Sequence, residues 1–411
     1  MAFSYLRMTP THHGSTELSS ECNLEGSFPL IAVLHSVEVW LPLTQNWIYT
    51  QIRNLPANVT NYVSCESTLN LSEFGIKNIQ DFAGQNFISS VYYRICRRLG
   101  HPKQFEKSLI KKNRIRLVHS HFGHVAWSNI ELSSPPASCR HVATFYGFDF
   151  NFLPKEPIWK QRYLELFNSI DCILCEGPHM AMCLSKLGCP ENKIAVHHLG
   201  VEVEQLRFAP RHWKSGTPLK VLIAASFVEK KGIPAALEAL AKLQGQIELE
   251  ITIIGDATPG PKSQHEKARI LRTLNESNLI NRTKLLGYVT SKQLYEEAYK
   301  SDLFLSPSIT ARSGDTEGGA PVTLIQMLAI GLPVISTTHC DIPNVILDGI
   351  TGRLAPEGDG NALIQCLKDF ISNRDDWQSY VHAARERVEK EFNARIQAKR
   401  LASIYEAVLN K

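Results

Sequence analysis

Short apolar runs alternate with longer helical patterns along most of this chain of 411 residues. Strands separated by helices in this way form parallel sheets that are covered by helices on both faces. The pattern therefore predicts an α/β fold. The strand candidates fall on both sides of a break at residues 208–218, and they are Leu30–Leu34, Arg116–His119, His141–Phe145, Ile170–Cys175, Ile194–His198, Lys220–Ala224, Glu250–Ile254, Thr283–Leu286, Leu303–Ser306 and Pro333–Ser336.

The break itself reads as a linker, because it contains Pro210, Gly216 and Pro218. A chain of 411 residues is also too long for one ordinary core. We therefore predict two Rossmann-like domains, at residues 28–208 and 216–390. Residues 1–27 should form a loosely ordered extension, and residues 391–411 should contain a final helix.

Net charge and hydropathy narrow the class of partner. The chain has 44 Lys+Arg and 40 Asp+Glu, which gives a net charge of +4. This balance is too mild to indicate nucleic acid. No apolar stretch approaches the roughly 18–20 residues of a membrane span, and the N-terminal residues lack the apolar core of a signal peptide. These features favour a cytoplasmic protein.

The segment from Arg94 to Arg116 is strongly basic, with Glu106 as its only acid. Such a segment is usually a solvated helix face, but apolar residues alternate with cations from Phe87 to Leu99, which also suits docking on anionic lipid at the inner face of the membrane. The cations that would serve this contact are Arg97, Arg98, Lys111 and Lys112.

Metal-site patterns are weak. Cys172 and Cys175 lie in one predicted strand, where side chains three residues apart do not converge, so free thiols are favoured over a zinc site. His119 and His121 share a strand face, yet no carboxylate or Cys completes a set near them in sequence. There is no D-x-D motif, so we predict no metal and no cofactor.

The most informative stretch is Asp315–Pro333, in which an acid precedes two glycines and a helix that begins near Pro321. Amides at a helix N-terminus bind anions, and glycine lets a ligand approach the backbone. Glu317 would repel phosphate and is better suited to sugar hydroxyls. An ordinary helix start explains this stretch equally well when it is taken alone.

A second stretch is Val228–Gly232, VEKKG, which follows the strand predicted at Lys220–Ala224. Adjacent lysines before a glycine that opens a helix can neutralise a diphosphate, although a solvated basic turn is more common for so short a string. Both stretches follow strand ends in the second domain, where open parallel sheets bind their ligands.

The ordered set of motifs resembles retaining glycosyltransferases of family 4, and especially the branches that build cell-surface polysaccharides. The second half carries SFVEKKG, IIGD, LGYV, DLFLSPS and TEGGAP…GLPVIST, and the first half carries LPLTQNWI, HSHFG, TFYGFD and HHLGVE. The resemblance implies a GT-B fold, with the two domains facing across a cleft and the helix at residues 391–411 returning to the first domain. It implies transfer of a sugar, hexosyl in type, from a nucleotide-sugar donor to a carbohydrate or lipid-linked acceptor.

The resemblance also implies roles for single residues. Glu317 would hold hydroxyls of the transferred sugar, the Gly318 and Gly319 amides would face the diphosphate, and Lys231, helped by Lys230, would neutralise the leaving phosphate. Gly147, Tyr146 and Asp149 would belong to a loop of the first domain that closes on the donor, and Asp149 would act in catalysis with Glu317 and Lys231. His121 would lie on the acceptor side, with Tyr146.

Three positions depart from the family pattern. Gln326 stands where a second Glu commonly binds the ribose, Ser226 replaces an Arg, and Tyr146 replaces a His. These departures keep open a catalytically weakened or silent nucleotide-sugar-binding protein of the same fold. A nucleotide-linked oxidoreductase is disfavoured, because no G-x-G-x-x-G follows an early strand.

Overall fold

The computed structural model describes residues 30–42, 45–82, 103–134 and 139–411, together with residues 91, 95 and 98. Its strands, numbered β1 to β15, are Ile31–Ser36, Val39–Trp40, Val59–Cys65, Ser67–Thr68, Ile79–Asp81, Leu117–His121, Arg140–Thr144, Cys172–Cys175, Ile194–Val196, Leu219–Ala224, Leu249–Ile254, Thr283–Leu285, Leu303–Ser306, Val334–Thr337 and Arg353–Ala355. Its helices, numbered α1 to α14, are Asn46–Arg53, Gln104–Asn113, Gly123–Ser128, Gly147–Asn151, Pro157–Ser169, Pro178–Lys186, Ile233–Ala241, Pro261–Glu276, Ser291–Ala298, Val322–Ile330, Ile342–Val345, Gly360–Ser372, Trp377–Glu391 and Ala394–Leu409.

The strands form two large parallel sheets. The first has the order β5-β3-β1-β6-β7-β8-β9, and the second has the order β12-β11-β10-β13-β14-β15. Every neighbouring pair in both sheets is parallel. In each sheet the chain begins at an inner strand, adds strands towards one edge, and then continues from that inner strand towards the other edge. This is the doubly wound Rossmann arrangement. The predicted α/β fold with two Rossmann-like units is confirmed.

The carboxyl ends of the two sheets face each other. Gly147, which follows β7, meets Gly318 in the loop after β13, and Gly177, which follows β8, meets Asp341 beyond β14. In open parallel sheets these ends carry the ligand-binding loops. The cleft between them is therefore built from the loops of both sheets.

The last helix, α14, returns to the first sheet. Its Leu401 and Tyr405 are fully buried in a cluster with Val33 and Leu117. Tyr405 also places its hydroxyl 2.6 Å from Nδ1 of His119 on β6. The end of the chain thus completes the core of the first sheet.

The sequence pattern located most strands to within a residue or two but omitted several. β3 was missed because VTNYVSC mixes polar and apolar residues, and β5 and β15 were missed because each has three residues. The proposed extension at residues 1–27 lies outside the described residues, as does most of the helical pattern at residues 87–99. Arg98, Lys111 and Lys112 are exposed, and Arg97 is not described. In the described part of the chain, no helix combines the length and hydropathy that a membrane span needs.

Candidate functional site

Glu317 and Lys231 meet at the carboxyl edge of the second sheet. The Nζ of Lys231 lies 2.7 Å from Oε2 of Glu317, and the hydroxyl of Ser308 donates to Oε1 over 2.7 Å. The Glu317 side chain is only 6% exposed. Burial opposes its ionisation, but the charges of Lys231 and Lys230 outweigh burial, so the pKa of Glu317 falls below its ordinary value. Glu317 is therefore a fixed, ionised acceptor of hydrogen bonds.

The backbone of Glu317 is held by a second chain of contacts. Its N–H donates to Nε2 of His339 over 3.1 Å, and Nδ1 of His339 lies 2.9 Å from Oε2 of Glu357. Because Nε2 accepts, a neutral His339 ring carries its proton on Nδ1 and donates to Glu357. The other oxygen of Glu357 accepts from the N–H of Thr310 over 2.5 Å. These bonds fix the turn that presents Glu317.

Lys230 and Lys231 diverge, although they are adjacent in sequence. Lys230 donates to Oδ1 of Asp315 over 3.1 Å and to the carbonyl of Thr316 over 2.8 Å. Lys230 borders a cavity of about 710 Å³ that lies away from Glu317. The sequence prediction grouped the two lysines on one diphosphate. The structure places only Lys231 against Glu317, and the contacts of Lys230 show it bracing the loop that leads to Glu317.

The two domains touch through backbone at Gly147 and Gly318. A Cβ on Gly147 would overlap the carbonyl oxygen of Glu317, and one on Gly318 would overlap Cα of Gly147. Gly318 also has φ +85°, a value that favours glycine. Asn151 on α4 adds hydrogen bonds to Thr316. The predicted closing loop of the first domain therefore lies directly against the predicted sugar-binding turn.

Asp149 is buried beneath this loop. Its Oδ1 accepts from the N–H of Tyr146 over 2.8 Å, and its Oδ2 accepts from the N–H of Gly123 over 2.7 Å. Burial raises the pKa of Asp149 to about 7, although the backbone N–H donors oppose that rise. Oδ1 holds the loop's own backbone and Oδ2 ties the loop to the start of α3, so Asp149 supports the loop. A direct catalytic role for Asp149 stays a prediction.

His121 lies in a buried chain of polar side chains rather than on an exposed surface. Its Nδ1 is 2.9 Å from the hydroxyl of Tyr146, and its Nε2 is 3.3 Å from Nδ1 of His35, whose Nε2 meets Asn61 at 3.1 Å. With His119 these rings form a triad whose ligand atoms lie within 4.8 Å of one another. Each of the six ring nitrogens has a hydrogen-bonding partner. Sequence spacing could not show that His35 joins the pair, since it comes from β1.

Two carboxylates that the sequence prediction missed cross between the domains. Asp341, which precedes α11, accepts from the N–H groups of His179 and Met180 at the start of α6 over 2.7 and 3.2 Å. Glu176, which precedes α6, accepts from the N–H of Ala320. A usable signal for Glu176 was present in sequence, because Glu-Gly-Pro directly follows a buried strand and opens a helix.

Gln326 and Ser226 lie at the second sheet as the sequence order implies. Gln326 is half-buried on α10, and its side chain hydrogen-bonds Tyr295 of α9. Ser226 is half-buried in the loop after β10, one residue before the buried Phe227. Contact of either residue with a nucleotide stays a prediction.

The comparisons with known proteins agree along the chain. The model described as "Glycosyl transferases group 1" matches residues 206–387, and the model described as "Glycosyltransferase Family 4" matches residues 79–205. WcaL of Escherichia coli K12, which bears the name of a colanic acid biosynthesis glycosyltransferase, is 35% identical over 294 residues, or 70% of each chain. The amylovoran biosynthesis glycosyltransferase AmsK of Erwinia amylovora is 34% identical over 289 residues, or 70% of this chain and 69% of that one.

The chain belongs to glycosyltransferase family 4, group 1. The predicted family is confirmed. Solved structures of other glycosyltransferases support the GT-B fold. Sucrose-phosphate synthase from Thermosynechococcus elongatus superposes with a TM-score of 0.73 at 15% identity, covering 92% of this chain and 99% of that one. Anabaena Alr3699/HepE in complex with UDP-glucose gives 0.73 at 15% identity, covering 92% and 100%.

A further cavity of the glycosyltransferase, about 260 Å³, opens at the ends of β1 and β3 in the first domain. Its lining includes two tryptophans, three carboxylates and two basic side chains: Trp127, Trp159, Glu38, Glu66, Glu106, Lys103 and His124. Lys103 pairs with Glu106, and Nε2 of His124 lies 3.5 Å from Oε2 of Glu38. Aromatic rings beside paired polar groups suit a polyhydroxylated ligand.

Proposed function

We propose that this glycosyltransferase moves a hexosyl group from a nucleoside-diphosphate sugar to a carbohydrate or lipid-linked acceptor, with retention of anomeric configuration. The observation that carries the proposal is the pair formed by Lys231 and Glu317 beside the Gly318–Gly319 turn. The ammonium group and the amides of this turn suit the diphosphate of such a donor, and the carboxylate suits the hydroxyls of its sugar.

The two residues of the pair are assigned to different parts of the donor, Lys231 to the phosphate and Glu317 to the sugar. The ammonium group of Lys231 has three donors, of which one reaches Glu317, so the others can meet the leaving phosphate. Glu317 would repel that phosphate and accepts hydroxyls instead. In the proposed reaction the acceptor oxygen bonds to the anomeric carbon and the bond to the phosphate breaks. The acceptor proton passes to the departing phosphate.

The relatives suggest the setting of the reaction. One bears the name of colanic acid biosynthesis and one of amylovoran biosynthesis, and HepE was solved with UDP-glucose. We therefore propose a role in building a surface polysaccharide from a nucleotide sugar. The aromatic and polar cavity of the first domain is the proposed acceptor side.

The deciding experiment combines binding and turnover. Titration of UDP, GDP, dTDP and ADP identifies the nucleotide, and hydrolysis of the corresponding nucleotide sugars identifies the donor. NMR of the anomeric proton in the product tests retention. Nucleotide binding with no hydrolysis or transfer of any donor would instead support the silent binding protein that Gln326, Ser226 and Tyr146 suggest.

Charge neutralisation by Lys231 and helix amides leaves no step that requires a metal, so we propose metal-independent transfer. Activity should persist in excess EDTA. Loss of activity in EDTA with recovery on adding manganese or magnesium would contradict this proposal.

Contact with anionic membranes is a separate proposal. The exposed Arg98, Lys111 and Lys112, with Arg97, would lose binding to acidic vesicles as salt rises, because exposed charges are screened within about 8–10 Å. Replacement of all four by Ala should lower partitioning onto such vesicles. Equal partitioning of the wild type and this variant would favour an ordinary solvated face.

A further inference from the structure

The turn assigned to the donor diphosphate already accommodates a carboxyl group from the other domain. The Glu176 residue as a whole is half-buried, and its carboxyl group is the part that the protein encloses. The N–H of Ala320 donates to it, and a Cβ on Gly319 would overlap it. The lack of a side chain at Gly319 is therefore what admits the Glu176 carboxyl to this turn.

The groups around Glu176 are mostly acidic. The carboxylates that act on it come from three separate elements, and they are Asp341, Asp149 and Glu317. Lys231 is paired with Glu317. The remaining titratable neighbours are Tyr146, Cys175 and His198, of which His198 meets the main-chain carbonyl of Glu176 at 2.6 Å.

A diphosphate at these amides would bring further negative charge into this cluster. An ionised Glu176 would repel the diphosphate at contact distance, whereas a neutral carboxylic acid has an O–H that can donate to a phosphate oxygen. Only one of these two forms is compatible with a bound donor in the closed arrangement.

We propose that Glu176 is a donor-binding residue that meets the diphosphate as a neutral carboxylic acid, so that nucleotide binding takes up a proton. The inference rests on the proposed function and adds a ligand from the first domain to the donor site. The atoms balance simply: one proton from solvent joins the Glu176 carboxylate, and its O–H then donates to the phosphate.

The electrostatics point the same way. Burial, and then the charges of Asp341, Asp149 and Glu317, raise the pKa of Glu176 well above its ordinary value. The carboxyl group is neutral below that raised pKa. Nucleotide affinity should therefore be highest at low pH and should fall as pH rises through the pKa of Glu176.

The test is calorimetry between pH 7 and 9, above the second phosphate pKa of about 6. The probe is whichever of UDP, GDP, dTDP and ADP binds most tightly. Repeating the titration in buffers of different ionisation enthalpy counts the protons taken up. Wild type should take up a proton at the pH values where Glu176 is ionised in the free protein, approaching one proton per nucleotide, and Kd should rise there by up to roughly tenfold per pH unit.

Glu176→Gln keeps an N–H donor without a titrating group. It should bind near the tightest wild-type value, with no proton uptake. Glu191→Gln is the matched control, since Glu191 is exposed in the turn after α6, and it should take up the proton as wild type does.

Two results would overturn the inference alone. Glu176→Ala binding more tightly than wild type throughout would make the carboxylate a competitor of the donor. Proton uptake that persists in Glu176→Gln would assign the proton to another group, such as Asp149. Failure of wild type to bind any of the four nucleotides would overturn the proposed function itself.

Discussion

Glu317 differs from the other acids of the cleft in the direction of its pKa shift, since the pKa values of Asp149, Glu176 and Asp341 are all raised. Glu317, on the second domain, meets an ammonium group at 2.7 Å, and its pKa is lowered. Asp149 and Glu176, on the first domain, are held by backbone N–H groups, and their pKa values are raised. At Glu317 the charges of two lysines and the hydrogen bonds from Lys231 and Ser308 together outweigh desolvation, whereas the amide dipoles at Asp149 and Glu176 do not. Burial alone therefore does not decide which carboxylates are charged at the donor site.

The largest expected effect comes from the loss of the Glu317 carboxylate. Glu317→Gln should lower the transfer rate by about 30- to 1,000-fold, or roughly 2–4 kcal/mol, because a preorganised carboxylate is lost from the sugar. Binding of the free nucleotide should be nearly unchanged. Steady-state transfer assays and calorimetry measure the two quantities. A folded variant with near-normal turnover would mean that the sugar lies elsewhere.

Lys231→Ala separates the two halves of that pair. It should weaken nucleotide and intact donor alike, because Lys231 is assigned to the diphosphate. Lys230→Ala is the neighbouring control, since Lys230 contacts Asp315 and Thr316 instead. Equal losses of nucleotide affinity in the two variants would mean that both lysines contact the phosphate.

A smaller effect is expected from a substitution at Asp149, in the first domain. Asp149→Asn leaves one oxygen for two backbone N–H donors, those of Tyr146 and Gly123, so it should cost about 1–3 kcal/mol of folding stability. Urea unfolding at pH 5 and pH 7 measures this cost.

The effect of Asp149→Asn on folding stability should depend on pH, and this dependence tests the ionisation of Asp149. The folded pKa of Asp149 is about 7, above an unfolded value of about 3.9. Folded wild type therefore binds more protons at this site between these values, and its stability from this site falls as pH rises from 4 to 7. The stability gap between wild type and Asn should shrink from pH 5 to pH 7. A gap that stays constant would show that Asp149 is ionised in the folded protein throughout this range.

The smallest effect concerns the ribose side. Gln326→Glu should change nucleotide affinity by no more than about tenfold, or roughly 1.4 kcal/mol, since both side chains can accept from ribose hydroxyls. Gln326→Ala is the test of contact. Unchanged nucleotide affinity in that variant would mean that Gln326 serves Tyr295 alone.

The second domain could be predicted further from sequence than the first. Lys231, Glu317 and the glycines after it lie in short local motifs at strand ends, so their placement follows from the Rossmann arrangement. The partners of Glu176, Asp341 and His35 were not predictable, because each meets residues distant in the chain and on other elements, although the Glu-Gly-Pro sequence marked Glu176 itself. Sequence spacing also could not show that Lys230 and Lys231 contact different residues of the 315–317 loop.

The return of α14 to the first sheet has a consequence for how the protein is made. Tyr405 bonds His119, and Leu401 fills the core beside Val33 and Leu117. The first sheet is translated early, yet its core gains these side chains only when the end of the chain leaves the ribosome. The second domain, whose strands end at Ala355, can therefore reach its final packing before the first domain does.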